Sequence, residues 1–264
     1  ITATIELPSA VPLLLTPTVQ GRPLGTATGF VARGRGGPVL VTCRHVLTGR
    51  HQESGKPLSD TGAIPDQIQV RHHGSSGRAP SIDQLISVTE ELYCQANTPR
   101  WLEHPTLSGN ADIAVLPLTV AAPIAIVECS LGVGDPLITV KPAEPVSVIG
   151  YPFGHSGPGQ FGIWATGFIA SELAFPYNGK PVFLIDCRSR PGQSGSPVFA
   201  HRTAGAVFDN GGVAIGTGQS YSRFLGLYSG RVHPDSDIGL VWSADAVRMT
   251  VESGEVALAP QRAA

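Results

Sequence analysis

Glycine and proline break this chain into short pieces. Thirty-two glycines and 23 prolines stand among 264 residues, punctuating many brief apolar runs rather than interrupting long helices. Apolar runs bounded by turn residues are what strands joined by tight turns require, so the pattern argues an all-β barrel or sandwich. Helical periodicity is offered only at residues 243–252, where Ser243 is placed to cap a short helix carrying Ala246, Val247 and Val251. No repeat of solenoid period occurs. With 42% hydrophobic and 14% charged residues, the chain has ample material for a sizeable core.

The segment Arg190-Pro191-Gly192-Gln193-Ser194-Gly195-Ser196-Pro197-Val198 sets a serine between glycines just before an apolar run. Gly192 tolerates a sharp turn because it has no Cβ to clash at positive φ. Such a turn aims the N–H groups of Gly192 and Ser194 into one small space, as an oxyanion hole beside a nucleophile requires. Taken alone, the segment is equally an ordinary tight turn. Upstream, Val39-Leu40-Val41-Thr42-Cys43-Arg44-His45 reads as a buried strand ending at a histidine, and Asp112-Ile113-Ala114-Val115-Leu116 as an apolar strand opened by an aspartate. A serine hydroxyl needs a base, and the base needs an acceptor that fixes its tautomer. Singly, His45 is a core histidine at a strand end and Asp112 a capping or solvated aspartate. Together, His45, Asp112 and Ser194 form a charge-relay set.

At these residues the chain resembles trypsin-like serine peptidases of the chymotrypsin fold, especially the bacterial HtrA-type branch. The resemblance runs from about Gly25 to about Val251. Its elements are Gly25-Thr26-Ala27-Thr28-Gly29-Phe30-Val31 before the histidine strand, Thr42-Cys43-Arg44-His45-Val46, Ala111-Asp112-Ile113-Ala114-Val115-Leu116, the turn Gly150-Tyr151-Pro152-Phe153-Gly154, the strand Thr166-Gly167-Phe168-Ile169-Ala170-Ser171, and Asp186 eight positions before Ser194. It implies two six-stranded antiparallel β-barrels, with the active site in the cleft between them and a short C-terminal helix. Residues 1–122 would supply His45 and Asp112, and residues 123–264 would supply Ser194, with the seam near Ala121-Ala122-Pro123. It implies a serine endopeptidase acting on polypeptides through an acyl-enzyme. The HtrA branch often carries a following PDZ module, for which the 70 residues after Ser194 leave no room.

The same resemblance places the specificity pocket. Arg188, six positions before Ser194, takes the floor position, with Ser189 beside it. Leu227-Tyr228-Ser229-Gly230 forms the opposite wall, and Gly239-Leu240-Val241 the third side. An arginine floor would select Asp or Glu, since a guanidinium holds a carboxylate bidentately. An arginine turned outward would leave a shallow apolar pocket for small aliphatic residues; this second reading is preferred, because a buried unpaired arginine is costly. In trypsin-like zymogens a new N-terminal ammonium pairs with an aspartate just before the nucleophile. Here that position is Gln193, and Ile1 lacks the glycines that follow it in the family, so no such activation is expected.

Two other classes stay in view. One is a catalytically silent, protease-like module that binds peptides. The other is an α/β-hydrolase esterase, which the missing fifth-position glycine (Ser196) and the absence of βαβ alternation oppose. A net charge of −2 without a basic run gives no footprint for nucleic acid. No run approaches ~18 apolar residues, so no membrane helix is expected. His72-His73 lacks a third ligand at a diagnostic spacing, so no metal or cofactor is expected. His51, His72, His73, His104, His155, His201 and His233 read as surface histidines, and residues 49–65 and 71–81 as polar loops. Cys43 and Cys187 lie in apolar runs and read as free buried thiols, leaning weakly toward a cytoplasmic compartment. Oligomeric state is left open.

Overall fold

The computed structural model describes residues 5–76, 79–94, 97–119, 123–133, 138–203, 206–209, 212–215 and 220–258. The strands of the first half are β1 (Pro12–Val19), β2 (Arg22–Pro23), β3 (Ala27–Gly34), β4 (Gly37–Thr42), β5 (Gln67–Ser76), β6 (Ala79–Glu91), β7 (Leu102–Glu103), β8 (Ala114–Pro117) and β9 (Glu128–Cys129). Those of the second half are β10 (Pro145–Gly150), β11 (Ile163–Ile169), β12 (Val182–Asp186), β13 (Pro197–Arg202), β14 (Ala206–Asp209), β15 (Gly212–Ile215), β16 (Tyr221–Arg231) and β17 (Ile238–Ser243), followed by β18 (Glu255–Val256). Among the described residues three short α-helices accompany them, α1 (Leu7–Ala10), α2 (Arg44–Thr48) and α3 (Ala244–Ser253), with two 3-10 turns at Pro152–Gly154 and Pro158–Gln160.

In the second half, β10-β11-β12-β17-β16-β13 close into a six-stranded antiparallel barrel. In the first, strands run in the order β18-β7-β8-β4-β3-β1-β5-β6, with β2 on β1 and β9 parallel to β3. The all-β architecture with a C-terminal helix is as expected. The first sheet has ten strands among the described residues rather than six, because four two-residue strands (β2, β7, β9 and β18) join the six longer ones. The expected seam residues Ala121 and Ala122 lie outside the described residues.

The strands form where apolar runs can be buried on both sides. In β3 and β4, Phe30, Val31, Leu40 and Val41 are almost wholly buried, and they meet Leu15, Ile68, Trp101 and Leu116 in the larger core. The second barrel encloses a separate core around Val148, Ile185, Val198 and Val241. Helix α3 starts as its cap predicts, with Ser243 Oγ accepting from the Ala246 N–H at 3.3 Å. It sets Ala246, Val247 and Val251 into the larger core.

One expectation fails clearly. Residues 71–76 and 79–81, expected in a polar loop, are strand; the rest of that expected loop lies outside the described residues. β5 and β6 form a long hairpin that pairs Val70 with Val88 and His72 with Ile86. His72 and His73 are buried, and so is His104. Burial, helped by the neighbouring His73, pushes the His72 pKa down to about 4, so it is a neutral, half-apolar ring at neutral pH. His51, His155 and His233 are exposed, as expected.

Candidate active site

β4 delivers the histidine. Cys43 ends the extended run and caps α2, so His45 falls in the helix's first turn. β8 delivers the aspartate. β4 and β8 are antiparallel with Thr42 opposite Ala114. Continuing that register two residues carries Asp112 opposite the start of α2. The Asp112 carboxylate then grips His45 twice: Oδ1 accepts from the His45 backbone N–H at 2.9 Å, and Oδ2 meets His45 Nδ1 at 2.7 Å. Beside them, Arg44 Nε donates to Glu103 Oε1 at 2.7 Å and anchors the helix.

Asp112 is 1% exposed, so its charge acts with little screening. Burial would raise its pKa, but the His45 charge and the hydrogen bonds from His45 and Ser229 hold it below its ordinary value. For His45, burial works downward, and the Asp112 charge and hydrogen bond outweigh it, so the pKa ends above its ordinary value. An ionised carboxylate only accepts, so the His45 proton resides on Nδ1 and the Nε2 lone pair is left to act as a base.

The serine turn is held from several directions. Gly192 has φ +94° and Gly195 φ +87°. A Cβ on Gly192 would lie 2.4 Å from the Tyr151 carbonyl oxygen, and one on Gly195 2.0 Å from that of Thr28. The carbonyls of residues 191–194 each have a donor. Pro191 O accepts from the Phe153 N–H at 2.6 Å, Gln193 O from the Ser196 N–H at 3.0 Å and Ser194 O from the Thr28 N–H at 2.9 Å. Gly192 O accepts from Thr28 Oγ1 at 2.8 Å. In a trans peptide the C=O and the following N–H point opposite ways. Fixing Pro191 O and Gln193 O therefore fixes the N–H groups of Gly192 and Ser194, and neither of these donates to anything among the described residues.

Ser229 joins the two halves of the site. Its Oγ donates to Asp112 Oδ2 at 2.5 Å, and its carbonyl accepts from Ser194 Oγ at 3.2 Å. Among the described residues no hydrogen bond runs directly between Ser194 Oγ and His45. A turn about the Ser194 Cα–Cβ bond redirects the hydroxyl.

The pocket residues divide. Arg188 is exposed and has no ion pair among the described residues. Ser189 turns inward, 1% exposed, and its hydroxyl is hydrogen-bonded to that of Tyr228. Ser229 and Gly230 are half-buried beside the serine, whereas Leu227 is packed into the larger core. Gln193 is buried, and its Oε1 accepts from the Arg190 N–H at 2.7 Å, clamping the turn from within. Ile1 lies outside the described residues. Donor atoms of Cys43, His45 and Asp112 lie within 4.8 Å of one another. The Cys43 thiol donates to the Tyr228 carbonyl at 3.3 Å, and burial and the Asp112 charge push its pKa well up. A thiol kept protonated there is a poor metal ligand.

Thr28 escaped the sequence reading as a site residue. So did the short turn at Tyr151 and Phe153 that backs Gly192, and the contact between the Tyr228 and Ser189 hydroxyls. Thr28 and the Tyr151–Phe153 turn stood in stretches that carry the resemblance, and Ser189 and Tyr228 were expected to line the pocket, but nothing in the sequence pointed to their contacts with one another or with the serine turn.

Over residues 27–216 the sequence matches the trypsin-like peptidase domain family, a span that includes His45, Asp112 and Ser194. The chain belongs to the trypsin-like peptidase family. Among solved structures it is similar to a thermostable serine protease, AL20, from an extremophilic microorganism, with 12% identity, 93% of this chain and 97% of that chain covered, and a TM-score of 0.51. It is also similar to the active form of the Rv3671c protease from M. tuberculosis, at 17% identity over 95% of this chain and 84% of that chain, with a TM-score of 0.47. No curated relative matches the sequence. The family is one of serine endopeptidases, and the trypsin-like chain described here is a hydrolase of that kind.

Proposed function

We propose that this peptidase cleaves polypeptides through an acyl-enzyme, with Ser194 as nucleophile, His45 as general base and acid, and Asp112 orienting His45. The observation that carries this reading is the hydrogen-bonded path from His45 Nδ1 through Asp112 and Ser229 to Ser194. It runs beside the two uncommitted N–H groups of Gly192 and Ser194.

A polypeptide bound as an extended strand takes the Ser229 carbonyl with its own N–H. The Ser194 hydroxyl is thereby released toward His45 Nε2. His45 accepts the hydroxyl proton as Ser194 Oγ bonds to the scissile carbonyl carbon. The carbonyl oxygen becomes an oxyanion held by the Gly192 and Ser194 N–H groups. His45 then passes its proton to the amide nitrogen, the C–N bond breaks, and an ester remains on Ser194. Water repeats the sequence, giving the carboxylic acid and free serine.

One observation favours a second reading, a silent peptide-binding module: the Ser194 hydroxyl is engaged with Ser229 rather than with His45. A fluorophosphonate probe separates the two. Stoichiometric labelling mapped to Ser194 by peptide mass spectrometry is the expected result. Absence of labelling in folded protein would favour the silent module.

Within this mechanism Thr28 is a positioning residue. It is fully buried, and its Oγ1 also accepts from the Tyr151 N–H at 3.1 Å. Thr28→Val keeps the shape but strands the Gly192 carbonyl and the Tyr151 N–H. A stranded buried group costs about 1–3 kcal/mol, so kcat is expected to fall roughly tenfold to a hundredfold, with KM changing less. Thr28→Ser, which keeps the hydroxyl, should restore kcat to within about threefold. Equal kcat values for the Val and Ser variants would remove Thr28 from this role.

A further inference from the structure

The resemblance to trypsin-like peptidases places the residue on the acyl side of the scissile bond between the turn before Ser194 and strands β16 and β17. Arg188 does not enter that space, since its side chain is exposed. Tyr228 does. It directly precedes Ser229, and its backbone carbonyl accepts from the Gly195 N–H at 2.8 Å, which ties it to the serine turn. Its ring passes Gly239 of β17 so closely that a Cβ there would lie 2.7 Å from Tyr228 Cε2. Its hydroxyl ends on that of Ser189, five residues before the nucleophile. Tyr228 is 3% exposed and Ser189 1%. The ring therefore spans from one wall to the other, and a hydrogen bond pins its far end.

We propose that Tyr228, pinned by Ser189, closes the specificity pocket from below and restricts the acyl-side residue to small side chains, alanine and serine foremost. This rests on the catalytic reading above and names the substrate class for it. The floor is made of two hydroxyls joined by one hydrogen bond, and it carries no fixed charge to favour Asp, Glu, Lys or Arg. Burial, only partly offset by the Ser189 hydrogen bond, pushes the Tyr228 phenol up to about 12, so the floor stays neutral across the working pH range. A leucine or phenylalanine would need the volume the ring occupies, and moving the ring would break the buried hydroxyl pair.

The test uses two readouts. The first is kcat/KM for peptides that differ only in the acyl-side residue: Ala, Ser, Val, Leu, Phe or Asp. The second is the affinity of the corresponding N-acetylated peptide acids, measured by calorimetry on Ser194→Ala protein, which needs no turnover. In both, Ala and Ser are expected to exceed Leu, Phe and Asp by at least about 30-fold, within the range by which pocket size discriminates. Tyr228→Val should narrow the Leu-to-Ala gap about tenfold or more in both readouts. Leu, Phe or Asp equal to Ala in the parent affinities would overturn the proposal, as would a Tyr228→Val profile unchanged from the parent. If Tyr228→Val does not fold, the parent profile alone decides. No turnover, with the small-residue preference kept in the affinities, would instead refute the catalytic reading and leave the pocket standing.

Discussion

Ser194→Ala is expected to lose about 10⁶-fold in kcat, because removing the nucleophile disables the whole hydrogen-bonded unit at once. The change deletes one oxygen, whose one hydrogen bond among the described residues is the 3.2 Å contact to the Ser229 carbonyl. The turn itself is held by its backbone carbonyls and by Gln193, so fold and stability should be preserved. The backbone N–H groups of the oxyanion hole remain in place in this variant, and peptide affinity should persist. Kinetics with protein verified by circular dichroism and thermal melting check this. A variant that keeps hydrolysis within about tenfold of the parent would place the nucleophile elsewhere.

Asp112→Asn should cost about 10⁴-fold in kcat with little change in the fold. The two side chains have nearly the same shape, but an amide NH₂ facing His45 Nδ1 favours the tautomer with its proton on Nε2, and the base is lost. The charge also matters for pH. His45 must be neutral to accept a proton, and in the parent its pKa lies above the ordinary histidine value because of Asp112. The acid limb of kcat/KM therefore sits above the ordinary histidine range, with activity rising as pH rises through it. Without the carboxylate, burial is the dominant remaining influence and pulls the pKa down. The limb of the residual Asp112→Asn activity should consequently move to lower pH. A limb that stays in place would mean that another group controls it.

The three central side chains were legible because each marks the end of a strand in the sequence. His45 closes an apolar run, Asp112 opens one, and Ser194 sits in a glycine turn before a third. The β4–β8 register then converts the 67-residue separation of His45 and Asp112 into a double hydrogen bond. Spacing was less informative about side-chain direction. Arg188 occupies the floor position by counting, yet a guanidinium without a carboxylate partner is far better off in water, and its neighbour Ser189 turns inward instead. His72 and His73 read as loop residues because histidine is polar by composition. A neutral imidazole can line a core, and the apolar β6 partners Ile86 and Leu85 were the available signal. Thr28 carried no mark at all. Its role depends on meeting a carbonyl 164 residues away, which only the packing of the two halves creates.

The central claim is a covalent intermediate on Ser194, and intact-mass spectrometry of protein acid-quenched during turnover of a slowly deacylating ester tests it most directly. The expected result is a burst of leaving group equal to the enzyme concentration, accompanied by a mass gain of one acyl group that maps to Ser194 and is missing from Ser194→Ala. Turnover with no acyl adduct, or with the adduct on another residue, would contradict the account.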